Sequence, residues 1–417
     1  MNYLEGLNDA QKRAVLAKDG PISVLAGAGS GKTRVLTTRI YHLVREGIPA
    51  EQILAVTFTN KAAREMRARV RVMLDDLPTN SENEKPLSTP FVATFHGLGR
   101  ELLESYGKVI GVPRFFSVYD RDDSEKAIAV ALKALDVDTK ELSPRAVLGR
   151  ISRAKGEGMR ASEFYEKNAR SGFGGRITAE VWLRYEKTLT AEKALDFDDL
   201  IALPVRMLQE HADVRALAQD RWRYLHIDEY QDTNALQGRL ANMLAAKHKN
   251  LFVVGDIDQC VYSWRQATIE NLMGFGKTYP EATTLILEQN YRSTKTIVEA
   301  ANSVIEKNKN RNKEKRSVTD NATGGPIIVH MSRSAEDEAR WIAVKIRELI
   351  KNGTKAEEVA ILFRTNFQSR ALEEGLLRAG VGYKLLGTHF FSRKEVKDTL
   401  AWIRLAIDPT RESDKMR

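Results

Sequence analysis

The chain has 417 residues, more than one hydrophobic core usually accommodates, so we expect at least two domains. Apolar residues make up 42% and charged residues 29%, a balance typical of a soluble protein with sizeable cores. The net charge of +9 slightly favours a polyanionic partner over a generic basic surface. The single cysteine, Cys260, excludes an internal disulfide and a Cys-rich zinc site, and it indicates a reducing compartment.

Neither a membrane span nor a secretion signal is predicted from the sequence. No apolar run approaches the ~20 residues that a helix needs to cross a bilayer. The N-terminal segment MNYLEGLNDAQ carries acidic residues and lacks the apolar centre of a signal peptide. We therefore expect a cytoplasmic protein that does not bind membranes.

Short apolar runs that end in polar or glycine residues alternate with longer helical patterns. Five of these runs predict buried strands: Ile22–Leu25, Ile53–Phe58, Tyr224–Ile227, Leu251–Val254 and Leu285–Leu287. Two more predicted strands follow a polar break, at Ile327–Met331 and Val359–Phe363. Buried strands separated by helices indicate an α/β fold with mainly parallel sheets. From about Phe115 to Leu195 the chain is rich in Ala, Lys, Glu and Leu, which predicts a helical insertion in the first α/β domain.

The first predicted strand runs into a glycine-rich loop with the sequence AGAGSGKT. Its residues are Ala26, Gly27, Ala28, Gly29, Ser30, Gly31, Lys32 and Thr33, and a helix is predicted to begin near Lys32. A strand, a glycine loop and a helix in this order are typical of a P-loop, whose backbone N–H groups bind phosphate oxygens. We expect Lys32 to reach the β- and γ-phosphates of a nucleotide and the Thr33 hydroxyl to ligate Mg²⁺. A chance glycine turn is the alternative.

A P-loop needs an acidic partner at the end of a neighbouring strand. The predicted strand Tyr224–Ile227 is followed directly by Asp228 and Glu229. We expect Asp228 to hold Mg²⁺ and Glu229 to orient or deprotonate the attacking water. An Asp-Glu pair after an apolar run is more often a surface strand end, but the following residues Tyr230–Asn234 (YQDTN) make the pattern far more specific.

Eight segments along the chain together resemble the UvrD/Rep/PcrA-like superfamily 1A DNA helicases. They are AGAGSGKT, VTFTNKAA, ATFH, LDFDDL, DEYQDTN, GDIDQCVYSWRQA, LEQNYRS and RTNFQSR, and they occur in the order of that family. The resemblance covers nearly the whole chain. It implies an ATP-dependent DNA helicase with ATP and Mg²⁺ as cofactors, which moves 3′→5′ on single-stranded DNA and unwinds duplex DNA in repair or replication. Single/double-strand junctions would be its substrates, while protein partners are not indicated.

The resemblance also implies roles for residues around the nucleotide. Gln11 would read the adenine edge, since its amide can donate and accept hydrogen bonds. Tyr291 and Arg34 would stack on the adenine faces, and Gln259 would sense the γ-phosphate. Arg292 would be an arginine finger supplied from the second motor domain, with a surface salt bridge as the alternative.

The remaining motif residues are of the types that a binding site for single-stranded DNA requires. The aromatic candidates for base stacking are Phe58, Phe197, Tyr262 and Trp264, although core packing is the alternative for each one alone. The candidates for phosphate or sugar contacts are Thr57, Asn60, His96, Arg265 and Asn366. His96 lacks other His or Cys residues at metal-ligand spacing. The basic run Lys307–Arg316 is either a solvated loop or a DNA-phosphate contact.

The implied architecture is that of a P-loop NTPase with RecA-like motor domains. Residues 1–112 and 195–285 would form the first motor domain, with the helical insertion subdomain at 113–194. Residues 286–393 would form a partial second motor domain, and 394–417 the start of the following helical insertion, with a helix predicted at Lys394–Ala406. ATP would bind in the cleft between the motor domains, and DNA would cross their top.

The sequence departs from the family pattern in two places. Cys260 stands where the family commonly has serine, and Gln266 where it has glycine. Family members also continue through a mobile helical insertion and two further motifs, neither of which we find, so we expect an incomplete second motor domain. One alternative function is therefore a fragment or shortened homologue that binds ATP and single-stranded DNA without effective unwinding. A P-loop kinase for a small molecule is the other alternative, and it leaves TFTNKAA and YSWR unexplained.

Overall fold

A computed structural model describes residues 3–17, 19–75, 88–261, 268–308, 315–386 and 394–407 of the chain. Contacts between residues divide the chain into two compact units, Met1–Gly324 and Gly325–Arg417. The larger unit contains both β-sheets. It therefore holds most of the motifs that the sequence singles out.

Two parallel sheets are present in the described part of the chain. Their strands are β1 (Ile22–Ala26), β2 (Ile53–Thr57), β3 (Phe91–Thr94), β4 (Ser117–Val118), β5 (Ala194–Leu195), β6 (Tyr224–Ile227), β7 (Leu251–Gly255) and β8 (Thr283–Leu287). Six of them form the main sheet in the order β3-β2-β6-β7-β1-β8, and β4 pairs with β5. Every pairing is parallel, which confirms the predicted α/β fold. The five strands predicted before the polar break correspond to β1, β2, β6, β7 and β8.

Helices cover both faces of the main sheet. In chain order the helices are α1 (Asp9–Leu16), α2 (Lys32–Arg45), α3 (Asn60–Asp75), α4 (Phe95–Tyr106), α5 (Arg121–Lys133), α6 (Pro144–Gly156), α7 (Ala161–Asn168), α8 (Phe173–Ala191), α9 (Asp199–Glu210), α10 (Ala212–Arg221), α11 (Ala235–Ala245), α12 (Glu270–Met273), α13 (Phe275–Thr278), α14 (Lys295–Ile305), α15 (Ala335–Lys351), α16 (Gln368–Arg378) and α17 (Lys394–Ile407). Within the described ranges, none of these helices is long and apolar enough to cross a membrane.

The continuous apolar runs in the sequence arise because the strands are buried on both faces. In β2, Leu54 and Val56 belong to one core while Ile53 and Ala55 belong to the other, since successive side chains of a strand point to opposite faces. Helices α4, α9, α10 and α11 line the first core, and α1, α2 and α3 line the second. Such two-sided burial is typical of parallel sheets.

The predicted helical stretch forms a third core. Helices α5, α6, α7 and α8 pack around Trp182, Tyr185 and Ile151, all of which are fully buried. Strands β4 and β5 pair at the two ends of this segment, where the chain leaves and rejoins the rest of the larger unit. The insertion is therefore closed at its base by a short parallel ladder.

The smaller unit is built on helices α15 and α16, which pack through Ala343, Ile346 and Leu376. The two strands predicted here, Ile327–Met331 and Val359–Phe363, are wrong: both segments lack strand structure. Met331 is 91% exposed and Leu362 is 94% exposed. A strand needs a neighbour to satisfy its backbone N–H and C=O groups, and no β-ladder joins these segments within the described residues.

Residues 286–324, the start of the expected second motor domain, belong to the larger compact unit. Leu287, the last residue of β8, accepts a hydrogen bond from the Gly27 N–H at 3.2 Å. Beyond it, the Asn290 N–H donates to the Val318 carbonyl at 2.7 Å. The division between the compact units consequently falls after Gly324 rather than near residue 286, while the assignment of motor domains stays a prediction.

Candidate nucleotide and DNA site

Several candidate residues of both predicted sites lie at one edge of the main sheet. Because all six strands are parallel, their carboxyl ends meet at the same edge, where open α/β folds bind ligands. The P-loop follows β1, Asp256 follows β7 and Asp228 follows β6. Further along the same edge, Phe58 follows β2 and His96 lies just after β3. Nucleotide candidates therefore occupy one half of this edge, and DNA candidates the other.

The P-loop has the backbone that its glycines allow. Gly29 has φ +67° and Gly31 has φ +83°, in the left-handed region that favours glycine, and α2 begins at Lys32 as predicted. A Cβ atom on Gly29 would lie only 2.7 Å from Cβ of Arg292. Close approach of the QNYRS segment to the loop therefore requires glycine at position 29.

The P-loop lysine and threonine contact the carboxylates that follow β6. Nζ of Lys32 lies 2.7 Å from Oε2 of Glu229, and the ammonium is largely buried. Oγ1 of Thr33 lies 3.4 Å from Oδ2 of Asp228. The sequence thus identified four side chains from two distant segments that the fold brings into one site.

Glu229 has an unusual backbone conformation. Its φ of 51° and ψ of 45° lie in the left-handed region, which is rarely populated by residues with a Cβ atom. Its N–H donates to Oδ1 of Asp228 at 3.0 Å, and its Oε2 accepts from Nε2 of Gln231 at 2.9 Å. Backbone strain of this kind persists only where neighbouring contacts hold it, and it clusters at functional sites.

Two carboxyl groups of this region have raised pKa values. Burial raises the pKa of Asp228 to about 6, and the nearby Glu229 adds to the shift, while Lys32 opposes it. The same two causes, burial and then Glu229, raise the pKa of Asp232 to about 6. A cluster of carboxylates beside a single lysine therefore carries excess negative charge, which favours a bound cation.

The Thr33 hydroxyl and the Asp228 carboxylate are the oxygen donors that Mg²⁺ prefers, and Mg²⁺ usually completes its shell with water and substrate phosphates. Within the described ranges, no three His, Cys, Asp or Glu side chains group so as to hold a metal ion. The donor set at the P-loop therefore fits Mg²⁺ that arrives with a nucleotide.

Asp256 links the γ-phosphate candidate to the rest of the site. Its Oδ2 accepts from Nε2 of Gln259 at 2.6 Å, and its N–H donates to Oε1 of Gln231 at 2.9 Å. The ammonium of Lys315 contacts Oδ1 of Asp256 and lies 3.1 Å from Oδ2 of Asp258. A continuous polar network thus runs from Lys315 through Asp256 and Gln231 to Glu229.

Lys315 belongs to the basic run 307–316, for which a solvated loop and a DNA-phosphate contact were the two interpretations. Neither describes this residue, because its side chain is buried against two aspartates. Residues 309–314 of the run lie outside the described residues. Lys307 is exposed, so both interpretations stay open for it.

The QNYRS segment is fastened to the P-loop by Asn290. Its Nδ2 donates to the Ala28 carbonyl at 2.8 Å, and its Oδ1 accepts from the backbone N–H groups of Arg292 and Ser293. The Tyr291 N–H donates to the Gly29 carbonyl at 2.9 Å. Arg292 is therefore held beside the loop by its backbone while its side chain stays exposed.

The adenine candidates surround the start of α1. Gln11 is buried, and its Nε2 donates to the Ser30 carbonyl at 2.8 Å while its Oε1 accepts from the Asn8 N–H at 3.0 Å. Nδ2 of Asn8 donates to the Tyr291 hydroxyl at 2.8 Å. Arg34 is exposed and donates to the Glu5 carbonyl at 3.3 Å. Gln11 thus fixes the P-loop through its own amide, while the exposed side chains of Tyr291 and Arg34 contact the segment before α1.

Three of the DNA candidates line a single cleft of about 580 Å³, between the carboxyl edge of the sheet and helices α5 and α6. They are Phe58, His96 and Phe197. The Phe197 side chain is 52% exposed, and its ring meets the His96 ring edge-on, with 5.6 Å between centroids. Arg121 and Arg153 also line the cleft. Phe58 and His96 are half-buried, so Phe197 is the exposed ring of the three. An exposed ring beside basic residues is an arrangement suited to single-stranded nucleic acid binding.

The other DNA candidates do not join this cleft. Thr57 is buried and donates to the Thr59 carbonyl at 3.2 Å. Asn60 is exposed at the start of α3, and Asn366 is exposed in the smaller unit. Tyr262, Trp264 and Arg265, together with Gln266, lie outside the described residues. The predicted roles of all these residues stay predictions.

Sequence reasoning missed four residues that organise the site: Gln231, Asp256, Asn290 and Lys315. The first three lie inside motifs that we singled out, so the signal was present, but each makes contacts that its motif does not reveal. Lys315 had no such signal because its partners are 57 and 59 residues away along the chain. Only the fold brings them together.

Comparisons with known proteins agree with this geometry. The UvrD/REP helicase N-terminal domain matches residues 7–280, and the UvrD-like helicase C-terminal domain matches residues 285–416. An ATP-dependent DNA helicase PcrA of Bacillus subtilis (strain 168) is 43% identical over 98% of this chain and 55% of its own length. The protein of the same name from Leuconostoc citreum is 42% identical over 97% of this chain and 53% of its own length. The chain spans about half the length of these curated relatives, and it belongs to the UvrD/REP helicase family.

Proposed function

We propose that the chain is the ATP- and DNA-binding part of a motor that moves 3′→5′ on single-stranded DNA and unwinds duplex DNA. One observation carries this proposal: a P-loop site and an aromatic cleft share one edge of one sheet. Both ligands would then act on the same rigid element. ATP would bind in a cleft between two motor domains, of which residues 286–393 supply part of the second.

The proposed chemistry is phosphoryl transfer to water. Lys32 and the P-loop backbone bind the phosphates, and Glu229 orients or deprotonates the attacking water. Thr33 and Asp228 would hold Mg²⁺, which would supply positive charge to the phosphate groups. Gln259 contacts the γ-phosphate, and Arg292 places its guanidinium where negative charge develops. The observed Lys32–Glu229 and Asp256–Gln259 contacts support these roles, because they hold the acting groups within one site.

Adenine recognition is assigned to the surface around the start of α1. Gln11 reads the purine edge, and the Tyr291 ring and the Arg34 guanidinium stack on its faces. The contact between Asn8 and the Tyr291 hydroxyl supports this assignment, since it holds the tyrosine near Gln11.

DNA binding is assigned to the cleft and, from the sequence alone, to the YSWR segment. Phe58 and Phe197 stack on bases, as do Tyr262 and Trp264. The polar residues Thr57, Asn60, His96, Arg265 and Asn366 contact phosphates or sugars. Stacking is sequence-tolerant, as a motor that moves along any sequence requires. Junctions between single- and double-stranded DNA are the proposed substrates, and the cytoplasm is the proposed location.

A strand-separation assay tests the proposal. Duplexes with a 3′ or a 5′ single-stranded tail are mixed with the chain and ATP, and ATP hydrolysis is followed in parallel. Unwinding of the 3′-tailed duplex alone, abolished by Lys32→Ala, is the expected result. Binding of ATP and DNA without strand separation would leave only the alternative function, a module that lacks effective unwinding.

A further inference from the structure

A buried ionic cluster lies directly behind Phe197, the exposed ring of the cleft. Lys155 of α6 is only 3% exposed, and its ammonium donates to Oδ2 of Asp196 at 2.8 Å and to Oδ1 of Asp199 at 2.7 Å. The two carboxylates flank Phe197 in the LDFDDL segment. None of the predicted roles uses Lys155.

The same two aspartates close the turn that carries Phe197. The Asp196 N–H donates to Oδ2 of Asp199 at 3.1 Å, and the Asp199 N–H donates to Oδ1 of Asp196 at 2.9 Å. The Tyr185 hydroxyl of α8 donates to Oδ2 of Asp196 at 3.2 Å. All four carboxylate oxygens therefore accept hydrogen bonds, and the turn is fastened to two helices of the insertion.

Burial of a lysine with two carboxylates is costly unless each group keeps its partners. The arrangement is consequently rigid, because any rotation of the turn 196–199 would break several of these contacts at once. Phe197 lies in the middle of the turn and projects into the cleft, edge-on to His96. A ring that is held in place before DNA binds loses less conformational entropy on binding.

We propose that Lys155 is a positioning residue for single-stranded DNA binding, which holds the turn 196–199 so that Phe197 presents its ring to the bases. The inference rests on the proposed DNA function of the cleft. It also assigns the helical insertion a part in binding, since Lys155 and Tyr185 both belong to insertion helices. A cluster that merely stabilised the insertion core would act on DNA binding independently of Phe197.

A double-mutant cycle on the full chain distinguishes these two roles. The affinity for fluorescent oligo-dT is measured for the wild type, Lys155→Met, Phe197→Ala and the double variant. Phe197→Ala should weaken binding about 5- to 150-fold, the range expected for one stacked base. Lys155→Met should weaken binding comparably, and the double variant should bind no more weakly than Phe197→Ala alone. Losses that multiply in the double variant would overturn the inference, as would unchanged affinity of a folded Lys155→Met protein.

A second, milder variant keeps the test decisive if Lys155→Met does not fold. Tyr185→Phe removes one hydrogen bond to Asp196, and it should weaken oligo-dT binding by about two- to five-fold. This loss should disappear in the Phe197→Ala background, and its persistence there would contradict the inference. Lys133→Met, which removes an exposed charge from α5 of the same insertion, is the matched control and should have equal effects in both backgrounds.

Two readouts separate this inference from the proposed function. Binding of a fluorescent ATP analogue should be equal in the wild type and Lys155→Met, since the P-loop does not contact the cluster. If the wild-type chain itself fails to bind oligo-dT, the proposed DNA function is wrong, and the inference falls with it. If the wild type binds and the cycle shows no coupling, only the inference is wrong.

Discussion

Nζ of Lys32 and Oε2 of Glu229 lie 2.7 Å apart, so the P-loop cation after β1 and the carboxylate after β6 form an ion pair, although β7 lies between the two strands. A nucleotide phosphate that reaches Lys32 competes with Glu229 for the same ammonium. Glu229 would then be released toward the position of the attacking water. On these proposed roles, the ion pair would oppose phosphate binding while keeping both groups in place.

Variants of these two residues should separate binding from turnover. Lys32→Ala should weaken ATP binding by more than about tenfold, because it removes a charge that contacts phosphate before and during the reaction. Glu229→Gln should keep or modestly increase ATP affinity, because the competitor for Lys32 loses its charge, while turnover falls. Titrations with a fluorescent ATP analogue measure both affinities. Equal losses of affinity in the two variants would contradict these roles.

Binding of Mg²⁺ with ATP should weaken as the pH falls through about 6. Burial raises the pKa of Asp228 to about 6, so its carboxylate takes up a proton below that pH and no longer attracts the cation. The Mg²⁺-dependent gain in ATP affinity, measured between pH 5 and 8, should decline below pH 6 in the wild type. Asp228→Asn should show a small gain with no such decline, and a pH-independent gain in the wild type would refute the prediction.

The raised pKa of Asp228 also predicts how the stability of the fold depends on pH. Low pH should weaken Mg²⁺ binding, but it should remove a destabilising charge from the fold. The folded-state pKa of Asp228 lies above its unfolded value, so ionisation of this buried group costs free energy above pH 6 and nothing below pH 4. Asp228→Asn should therefore raise the free energy of unfolding at pH 8, by up to about 3 kcal/mol, and leave it unchanged at pH 4. Urea unfolding at the two pH values provides the measurement. Destabilisation at pH 8 would show that the ionised carboxylate has stronger partners than we describe.

Lys315→Met should destabilise the fold by about 3–5 kcal/mol, since it leaves Asp256 and Asp258 buried without their cation. It should not alter the salt dependence of DNA binding, because the ammonium is turned away from solvent. Lys307→Met, from the exposed part of the same basic run, is the control and should leave stability within about 0.5 kcal/mol. Urea unfolding and salt titrations of both variants give the answer, and similar unfolding curves would contradict the buried ion pair.

Phe197→Ala should cost about 1–3 kcal/mol of single-stranded DNA affinity with little change in salt dependence, because stacking is short-range and uncharged. Phe115→Ala removes another exposed ring of the chain, one that does not line the cleft, and should leave the affinity unchanged. Fluorescence anisotropy at several salt concentrations compares the two. Equal effects would show that the cleft is not where bases stack.

Local patterns in the sequence predicted the parallel sheet and much of the nucleotide site. Strands β1, β2, β6 and β7 are buried on both faces, and each therefore forms an apolar run that can be recognised without its neighbours. The edge strand β8 is only partly buried, but it also contains an apolar run, Leu285–Leu287. Lys32 and Asp228 were identified because each follows such a strand. Strand β3 was missed, although its run, FVAT, is as long as the predicted run of β6.

Contacts between distant segments could not be predicted in the same way. Lys155 and Lys315 are ordinary lysines in the sequence, and their burial depends on carboxylates 41 and 59 residues away. At Ile327–Met331 a strand was predicted that the structure lacks. The apolar run there resembles a strand but has no pairing partner in the described residues. Strand formation depends on neighbours that a local pattern does not reveal.

We propose that the nucleotide site and the DNA cleft act on each other through one sheet edge. The most direct test is the affinity of the wild-type chain for fluorescent oligo-dT, measured with and without a saturating non-hydrolysable ATP analogue and Mg²⁺. Thermodynamic linkage requires a reciprocal change, so oligo-dT must alter the affinity for the analogue by the same factor. We predict a shift of about fivefold or more in both titrations, lost in Lys32→Ala. If the chain binds both ligands but its affinity for oligo-dT does not depend on the nucleotide, the two sites are not coupled.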